Sequence, residues 1–265
     1  MLLLSADEIS DALRAQSIGG RIIYRQTMTS TMDVAQAEIA ANAPHGTVVI
    51  CEQQEHGQGR LSREWVSPVG GVYLSIILYP HERLLPQLTI WASLAVADAI
   101  RHICGLKAYF KWPNDVLLHD KKISGIIARS GQNQHGKTWA IVGIGINANM
   151  KMSQQTAEIA SIATSLSDVS DKEVLRESLI VSLLQSCEKL YNEMEQGEAL
   201  WHAWQRRLLT LEKSVVVRCG TTVYQGLAES VNSDGTLLLR QDTGEIVIIP
   251  AGDVTLRNEE RSEAH

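Results

Sequence analysis

The sequence predicts an α+β domain followed by a small all-β barrel, and three observations carry that reading. Short β-branched runs alternate with segments of three-to-four apolar spacing as far as about Thr210. Beyond Leu211 the texture changes to four short strands, Ser214 to Arg218, Thr222 to Glu229, Thr236 to Leu239 and Glu245 to Ile249. Ser233-Asp234-Gly235 and Asp242-Thr243-Gly244 punctuate those strands as tight turns, the pattern of a small barrel. The boundary therefore falls between residues 1–211 and 212–265, without a Pro- or Gly-rich linker.

Within the larger part, Arg21 to Arg25 reads as a strand, and Ser30-Thr31-Met32-Asp33 as a capping box that opens an Ala-rich helix to about Ala41. Pro44-His45-Gly46 breaks that helix, and Thr47 to Glu52 is a buried strand. Gln53 to Gly71 is a long, polar, glycine-dotted loop, a length that points to function. Val72 to Leu78 is a strand, Leu84 to Ile103 a helix, and Tyr109 to Lys111 extended. Val116 to Leu118 and Ile123 to Ala128 form a hairpin about the tip His119-Asp120-Lys121-Lys122, and Trp139 to Ile144 is a further strand. Lys172 to Thr210 is helical, with Leu175, Leu179, Leu183, Leu184 and Leu190 as its apolar positions.

Composition narrows the classes. Apolar residues make up 45% and charged residues 20%, a soluble balance for one core plus a satellite domain. The net charge of −6 argues against a broad nucleic-acid footprint. Cys51, Cys104, Cys187 and Cys219 are scattered and read as reduced thiols, and the eight histidines have no metal-binding spacing. Asp7 and Glu8 follow the apolar start too closely for a signal peptide, and no run reaches ~18 apolar residues, so a cytoplasmic setting without membrane contact is expected. Six Trp accompany a single Phe; most indoles are expected in the core and some along a ligand pocket.

Three segments can carry chemistry. In the loop from Gln54 to Trp65, Gly57 and Gly59 permit backbone N–H groups to face an anion, and Arg60 and Arg63 offer guanidinium forks; a plain turn with solvated arginines reads as well. In Lys111-Trp112-Pro113-Asn114-Asp115-Val116, Pro113 makes a rigid turn presenting Asn114 and Asp115, either a site element or a self-bonded Asx turn, and Lys122-x-x-Gly125 follows. In Gly143-Ile144-Gly145-Ile146-Asn147-Ala148-Asn149 the glycines admit a flat ligand and Asn147 offers an amide, unless the run is only a strand ending in a bend.

Taken together and in this order, these segments resemble the biotin–protein ligase family from about Arg21 to Arg257, in its form without an N-terminal DNA-binding domain. The resemblance implies a mixed-sheet catalytic domain of the biotin/lipoate ligase type, followed by an SH3-like barrel carrying Gly226, Asp234-Gly235 and Gly252-Asp253-Val254. It implies formation of biotinyl-5′-AMP from biotin and ATP, and transfer of biotin to a lysine of a biotin carboxyl carrier protein or domain of a biotin-dependent carboxylase. By the same resemblance, Ser30, Thr31 and Gln54 receive the biotin head group, and Gly57, Gln58, Gly59 and Arg60 belong to a loop that closes over the adenylate. Lys122, beside Gly125, lies near the biotin carboxylate and α-phosphate, Trp65 packs on adenine, Asn147 reads it, and Asp115 acts near the metal and the incoming lysine. Lys122, Arg60 and Asp115 are the implied catalytic groups; Mg²⁺ comes with ATP and is not held by protein alone.

The chain departs from the family loop twice. Gln58 replaces the first arginine of G-R-G-R, so that either His56 or Arg63 compensates or the loop holds pyrophosphate less tightly, and Ser62 replaces a glycine. The R-R-x-S-G-G-G loop of lipoate ligases is absent, which disfavours that same-fold rival. About twenty residues precede the first strand, so a DNA-binding repressor role is not expected, whereas a homodimer is what the resemblance implies.

Overall fold

The computed structural model describes residues 3–14, 16–134 and 136–256; the tail 257–265 assigned to the second domain, with the Arg257 end of the resemblance, lies outside the described residues, as do Met1 and Leu2. The helices are α1 (Ala6–Ala12), α2 (Thr31–Ala40), α3 (Leu88–Cys104), α4 (Ala157–Ile162), α5 (Leu166–Ser170), α6 (Arg176–Glu195) and α7 (Leu200–Gln205). The first seven strands are β1 (Ile22–Met28), β2 (Val48–Gln54), β3 (Val72–Leu78), β4 (Tyr109–Lys111), β5 (Asp115–Leu118), β6 (Lys121–Gln132) and β7 (Thr138–Ile146). They form one mixed sheet in the order β1-β2-β3-β7-β6-β5-β4. Only β1 and β2 pair in parallel, because α2 is the crossover between them.

Strand β3 lies near the middle of this sheet and is buried on both faces, which explains a sequence that is apolar except at Ser75. Val72, Leu74, Ile76 and Leu78 join the core with α3 and α6, whereas Tyr73 and Ile77 meet Met32, Ala35 and Ile39 of α2 on the opposite face. Beneath the first face, buried Glu52 pairs with buried Arg176 at 2.6 Å. Glu52 also accepts from the Leu4 N–H and, at 3.1 Å, from the Tyr24 hydroxyl, tying β2 to α6, β1 and the start of the chain. Burial and the neighbouring Glu52 carboxylate push the Tyr24 hydroxyl up to about 12.

The C-terminal strands β8 (Ser214–Cys219), β9 (Thr222–Val231), β10 (Leu237–Arg240), β11 (Ile246–Ile249) and β12 (Asp253–Leu256) form an antiparallel sheet ordered β11-β10-β9-β8-β12. Its Val215, Val217, Ala228, Leu237 and Leu239 belong to the same apolar cluster as α3 and α6. The Trp112 indole N–H donates to the Gly235 carbonyl at 2.8 Å, and the Trp112 backbone N–H to Thr210 Oγ1 at 2.9 Å. The C-terminal sheet is thus seated on the Lys111–Val116 turn.

Several expected elements are corrected. The helix expected from Leu84 begins at Leu88, preceded by a 3₁₀ turn over Glu82–Gln87, because Pro86 lacks the N–H that a helix interior requires. The hairpin tip is only His119-Asp120, both with positive φ, so Lys121 and Lys122 open β6 and point to opposite faces. The helical stretch 172–210 is two helices separated near Gly197, whose φ is +94°, and Leu175 caps α6 with 73% of its surface exposed. Strand β12, which pairs with β8, and helices α1, α4 and α5 were not among the expected elements. Trp91 and Trp204 are fully buried core indoles, Trp112 is fully buried and borders a cavity, and the partly exposed Trp65 lines that cavity.

Candidate active site

A cavity of about 330 Å³ opens where α2, the long loop and strands β6 and β7 meet. Ser30, Thr31, Gln54, Gln58, Gly59, Arg60, Trp65, Asp115, Lys122, Gly125 and Asn147 all line it. Gly57 does not: a Cβ there would lie 2.2 Å from the Trp65 carbonyl oxygen and 2.5 Å from Ser67 Oγ, so it is glycine to let the loop close on itself.

The α2 end is a polar network. Ser30, the N-cap of α2, accepts from the Met32 N–H at 3.3 Å and has its hydroxyl proton left over for a ligand. Thr31 donates to Gln54 Oε1 from its N–H at 2.9 Å and its hydroxyl at 3.1 Å, and accepts from the Ser75 hydroxyl at 2.8 Å. Gln54 Nε2 donates to Ser67 Oγ at 2.8 Å. Both ends of the Gln54 amide therefore brace the protein. Ser67 was missed and lies in no motif that could have drawn attention to it; Ser75 closes the run Val72-Tyr73-Leu74-Ser75, which shares in the family resemblance, but its hydrogen bond to Thr31 could not be read from that run.

The glycine loop is a small hairpin. Gly59 N–H donates to the Arg63 carbonyl at 2.8 Å, Trp65 N–H to the Gly57 carbonyl at 2.8 Å, and Leu61 takes φ 52° at the turn. The expected anion nest is corrected at Gly59, because its N–H is engaged inside the hairpin. Gln58 Nε2 donates to both carboxylate oxygens of Asp33, at 2.9 and 3.0 Å, so the side chain that departs from the family arginine faces an acid on α2. Arg63 pairs with Asp253 of β12. Arg60 Nη1 donates to Asn114 Oδ1 at 3.2 Å and to the Gly252 carbonyl at 3.3 Å. Burial lowers the Arg60 pKa from its usual range, while Asp253 and Asp115 pull it back up.

Each residue of the rigid turn has its own task. Trp112 seats the C-terminal sheet, Asn114 holds Arg60 and donates to the Ile126 carbonyl at 2.7 Å, and Asp115 Oδ1 pairs with Lys122 Nζ at 2.7 Å. The self-bonded Asx reading of this turn gives way to those partners. Lys122 is not a solvated tip lysine; its ammonium also sits 5.1 Å from the centroid of the Trp65 ring.

The glycines of β6 and β7 are corrected as well. A Cβ on Gly145 would lie 2.5 Å from Trp65 Nε1, one on Gly125 2.9 Å from Trp65 Cζ3, and one on Gly143 2.8 Å from Met32 Sδ. The close approach they permit is made by the chain's own side chains. The Trp65 indole N–H is buried against Gly145 without an acceptor among the described residues. Asn147 Nδ2 donates to the Thr164 carbonyl at 3.0 Å and, at 3.5 Å, to that of Lys122, which leaves its Oδ1 as the atom offered to a ligand. Asn149 exchanges two hydrogen bonds with Val174, at 2.8 and 2.9 Å, and Asp168 accepts from the Met152 N–H at 2.9 Å. The segment clipped in this way supplies the apolar wall of Met150, Met152 and Ile159, which no sequence motif announced.

Residues 22–147 match the model of the biotin/lipoate A/B protein ligase family, and residues 210–257 that of the biotin protein ligase C-terminal domain. The chain is 34% identical to the bifunctional ligase/repressor BirA of Bacillus subtilis over 258 residues, 96% of this chain and 79% of that protein. It belongs to the biotin–protein ligase family. The biotin–[acetyl-CoA-carboxylase] ligase of Paracoccus denitrificans is 32% identical to it over 86% of this chain and 98% of its own. The biotin protein ligase of Aquifex aeolicus, solved with biotin and ATP, superposes with a TM-score of 0.77 at 28% identity, covering 89% of this chain and 98% of that one. The fold expected of a biotin–protein ligase, a mixed sheet with a C-terminal antiparallel sheet, is the one found. No helix among the described residues is long and apolar enough to cross a membrane.

Proposed function

We propose that this cavity is where biotin and ATP are joined as biotinyl-5′-AMP, and where biotin passes to a lysine of a biotin carboxyl carrier protein or domain. The chain is an ATP-dependent biotin–protein ligase, and the assignment of its steps to residues rests on one observation above all: Lys122 and Asp115 form an ion pair inside the cavity. A biotin carboxylate approaching an α-phosphate meets anion–anion repulsion, so positive charge must be gathered first. Lys122 exchanges its partner Asp115 for the substrate oxygens, and Arg60, held by Asn114 and Gly252, adds a second cation. That exchange frees the Asp115 carboxylate to take a proton from the acceptor lysine, which then attacks the acyl carbon as AMP leaves. Ser30, Thr31 and Gln54 receive the biotin head group, and Trp65 and Asn147 the adenine, Trp65 by packing its ring on the base and Asn147 through its Oδ1.

The described residues contain no cluster of three metal-ligand side chains. Mg²⁺ would come with the ATP phosphates, near Asp115 as a carboxylate donor, and would neutralise phosphate charge. We take residues 1–211 and 212–265 as the catalytic domain and an SH3-like barrel, and the setting as cytoplasmic, a reading supported by the free thiols of Cys51, Cys104, Cys187 and Cys219. Incubation with biotin, MgATP and a carrier domain should add one biotin mass to the carrier. A carrier that gains no mass from an active preparation, or gains it without ATP, would refute the proposal.

A further inference from the structure

A second cleft, of about 880 Å³, lies behind the glycine loop. Arg60, Arg63 and Asn114 line both it and the reaction cavity, so the two are continuous around the loop. Lys122 and Asp115 line only the first, Arg129 and His56 only the second. Arg60, Arg63, Arg129 and His56 line this cleft together with one acidic residue, Glu64. Arg60 and Arg63 have protein partners, whereas the side chains of Arg129 and His56 make no hydrogen bond or ion pair among the described residues; the His56 backbone N–H donates to the Thr29 carbonyl at 2.9 Å. Arg129 projects from β6, where it is paired with Ile141 of β7, so its charge is carried by the sheet and not by the loop.

We propose that this cleft is a pyrophosphate site, with Arg129 as the cation that draws the leaving group out of the reaction cavity. The inference rests on the functional reading above. In adenylation the carboxylate oxygen bonds to the α-phosphorus while the bond from that phosphorus to the β-bridging oxygen breaks. The bonding pair departs with pyrophosphate, in line and away from the entering carboxylate. The departing group is a dense polyanion, and open guanidinium forks suit its oxygens. The loop itself brings less charge than its family pattern would, since Gln58 is neutral and directed at Asp33. Arg129 supplies a guanidinium from the opposite wall.

The test uses inorganic pyrophosphate with the full chain. Arg129→Gln should raise the pyrophosphate inhibition constant about tenfold, the scale of one partly screened charge-assisted contact. It should slow ATP formation from biotinyl-5′-AMP and pyrophosphate similarly, and Arg129→Lys should restore part of both. Biotin transfer from supplied adenylate involves no pyrophosphate and is the internal reference. Unchanged pyrophosphate constants, or an equal loss in transfer, would overturn the proposal. A raised KM for the carrier with unchanged pyrophosphate constants would also overturn it and would assign the cleft to the acceptor protein. A wild-type chain that forms no adenylate would instead refute the functional reading, a separately recognisable result.

Discussion

Replacing Lys122 by Met keeps most of its apolar stem and removes the ammonium from the centre of the cavity. An ammonium about 4 Å from a developing phosphate charge contributes roughly 4 kcal/mol at an effective dielectric near 20. Removal of one preorganised electrostatic stabiliser costs about 2.7–4 kcal/mol of barrier, or ~10²–10³ in rate. Adenylation, followed as pyrophosphate release, should fall by that factor. Transfer from chemically supplied biotinyl-5′-AMP should fall less, because the anhydride is already formed. The fold should tolerate the change: Lys122 and Asp115 are each about a quarter exposed, and a screened pair of this kind is worth about 1 kcal/mol or less. Normal pyrophosphate release by Lys122→Met would refute the electrostatic role. Equal losses in both half-reactions would refute the separation of tasks between Lys122 and Asp115.

Trp112→Phe removes the indole donor to Gly235 but retains most of the ring volume, so stability should fall by about 1–2 kcal/mol. At about 2–4 °C per kcal/mol for a chain of this size, calorimetry should find Tm lowered by several degrees; an unchanged Tm would mean that the bond does not seat the C-terminal sheet. His45 accepts the Tyr79 N–H through Nδ1 at 3.1 Å, and burial lowers its pKa below 6.5. A depressed folded-state value stabilises the fold above the unfolded pKa and loses that contribution as pH falls through the folded value. The urea midpoint of the wild type should therefore drop more between pH 7.5 and 5.5 than that of His45→Asn, which retains an acceptor; parallel drops would refute the assignment.

Much of the site was legible because its side chains sit in runs whose chemistry is local. Ser30 caps the helix that it was expected to open, and Val72 to Leu78 is a strand because a short run that is apolar except at Ser75 fits a doubly buried position. What could not be read depends on partners remote in sequence. Gln58 bonds Asp33 across 25 residues and Arg63 pairs with Asp253 across 190; each acid stood in a recognised segment, the capping box and Gly252-Asp253-Val254, but neither segment names its distant partner. The glycines at 125, 143 and 145 were legible as places of close approach, but what approaches them is a tryptophan and a methionine of the same chain. Strand β12 escaped because four residues after Gly252 are too short for alternation to register; its pairing with β8 decides it. The hairpin tip was drawn two residues too long because the positive φ of His119 and Asp120 belongs to residues that adopt it less readily than glycine.

The apolar cluster shared by α3, α6 and the C-terminal strands makes the chain modular in sequence but not in thermodynamics. Severing the backbone after residue 211 would leave the Trp112 indole and the Arg60 guanidinium each without a carbonyl acceptor, and would strip one wall from the core. The catalytic fragment would then expose a sticky surface in place of an interface and be prone to aggregate. Unfolding of the intact chain should be a single cooperative event. A graft that swaps the C-terminal sheet between relatives must carry its complement of Trp112 contacts with it, or the damage will surface at Arg60.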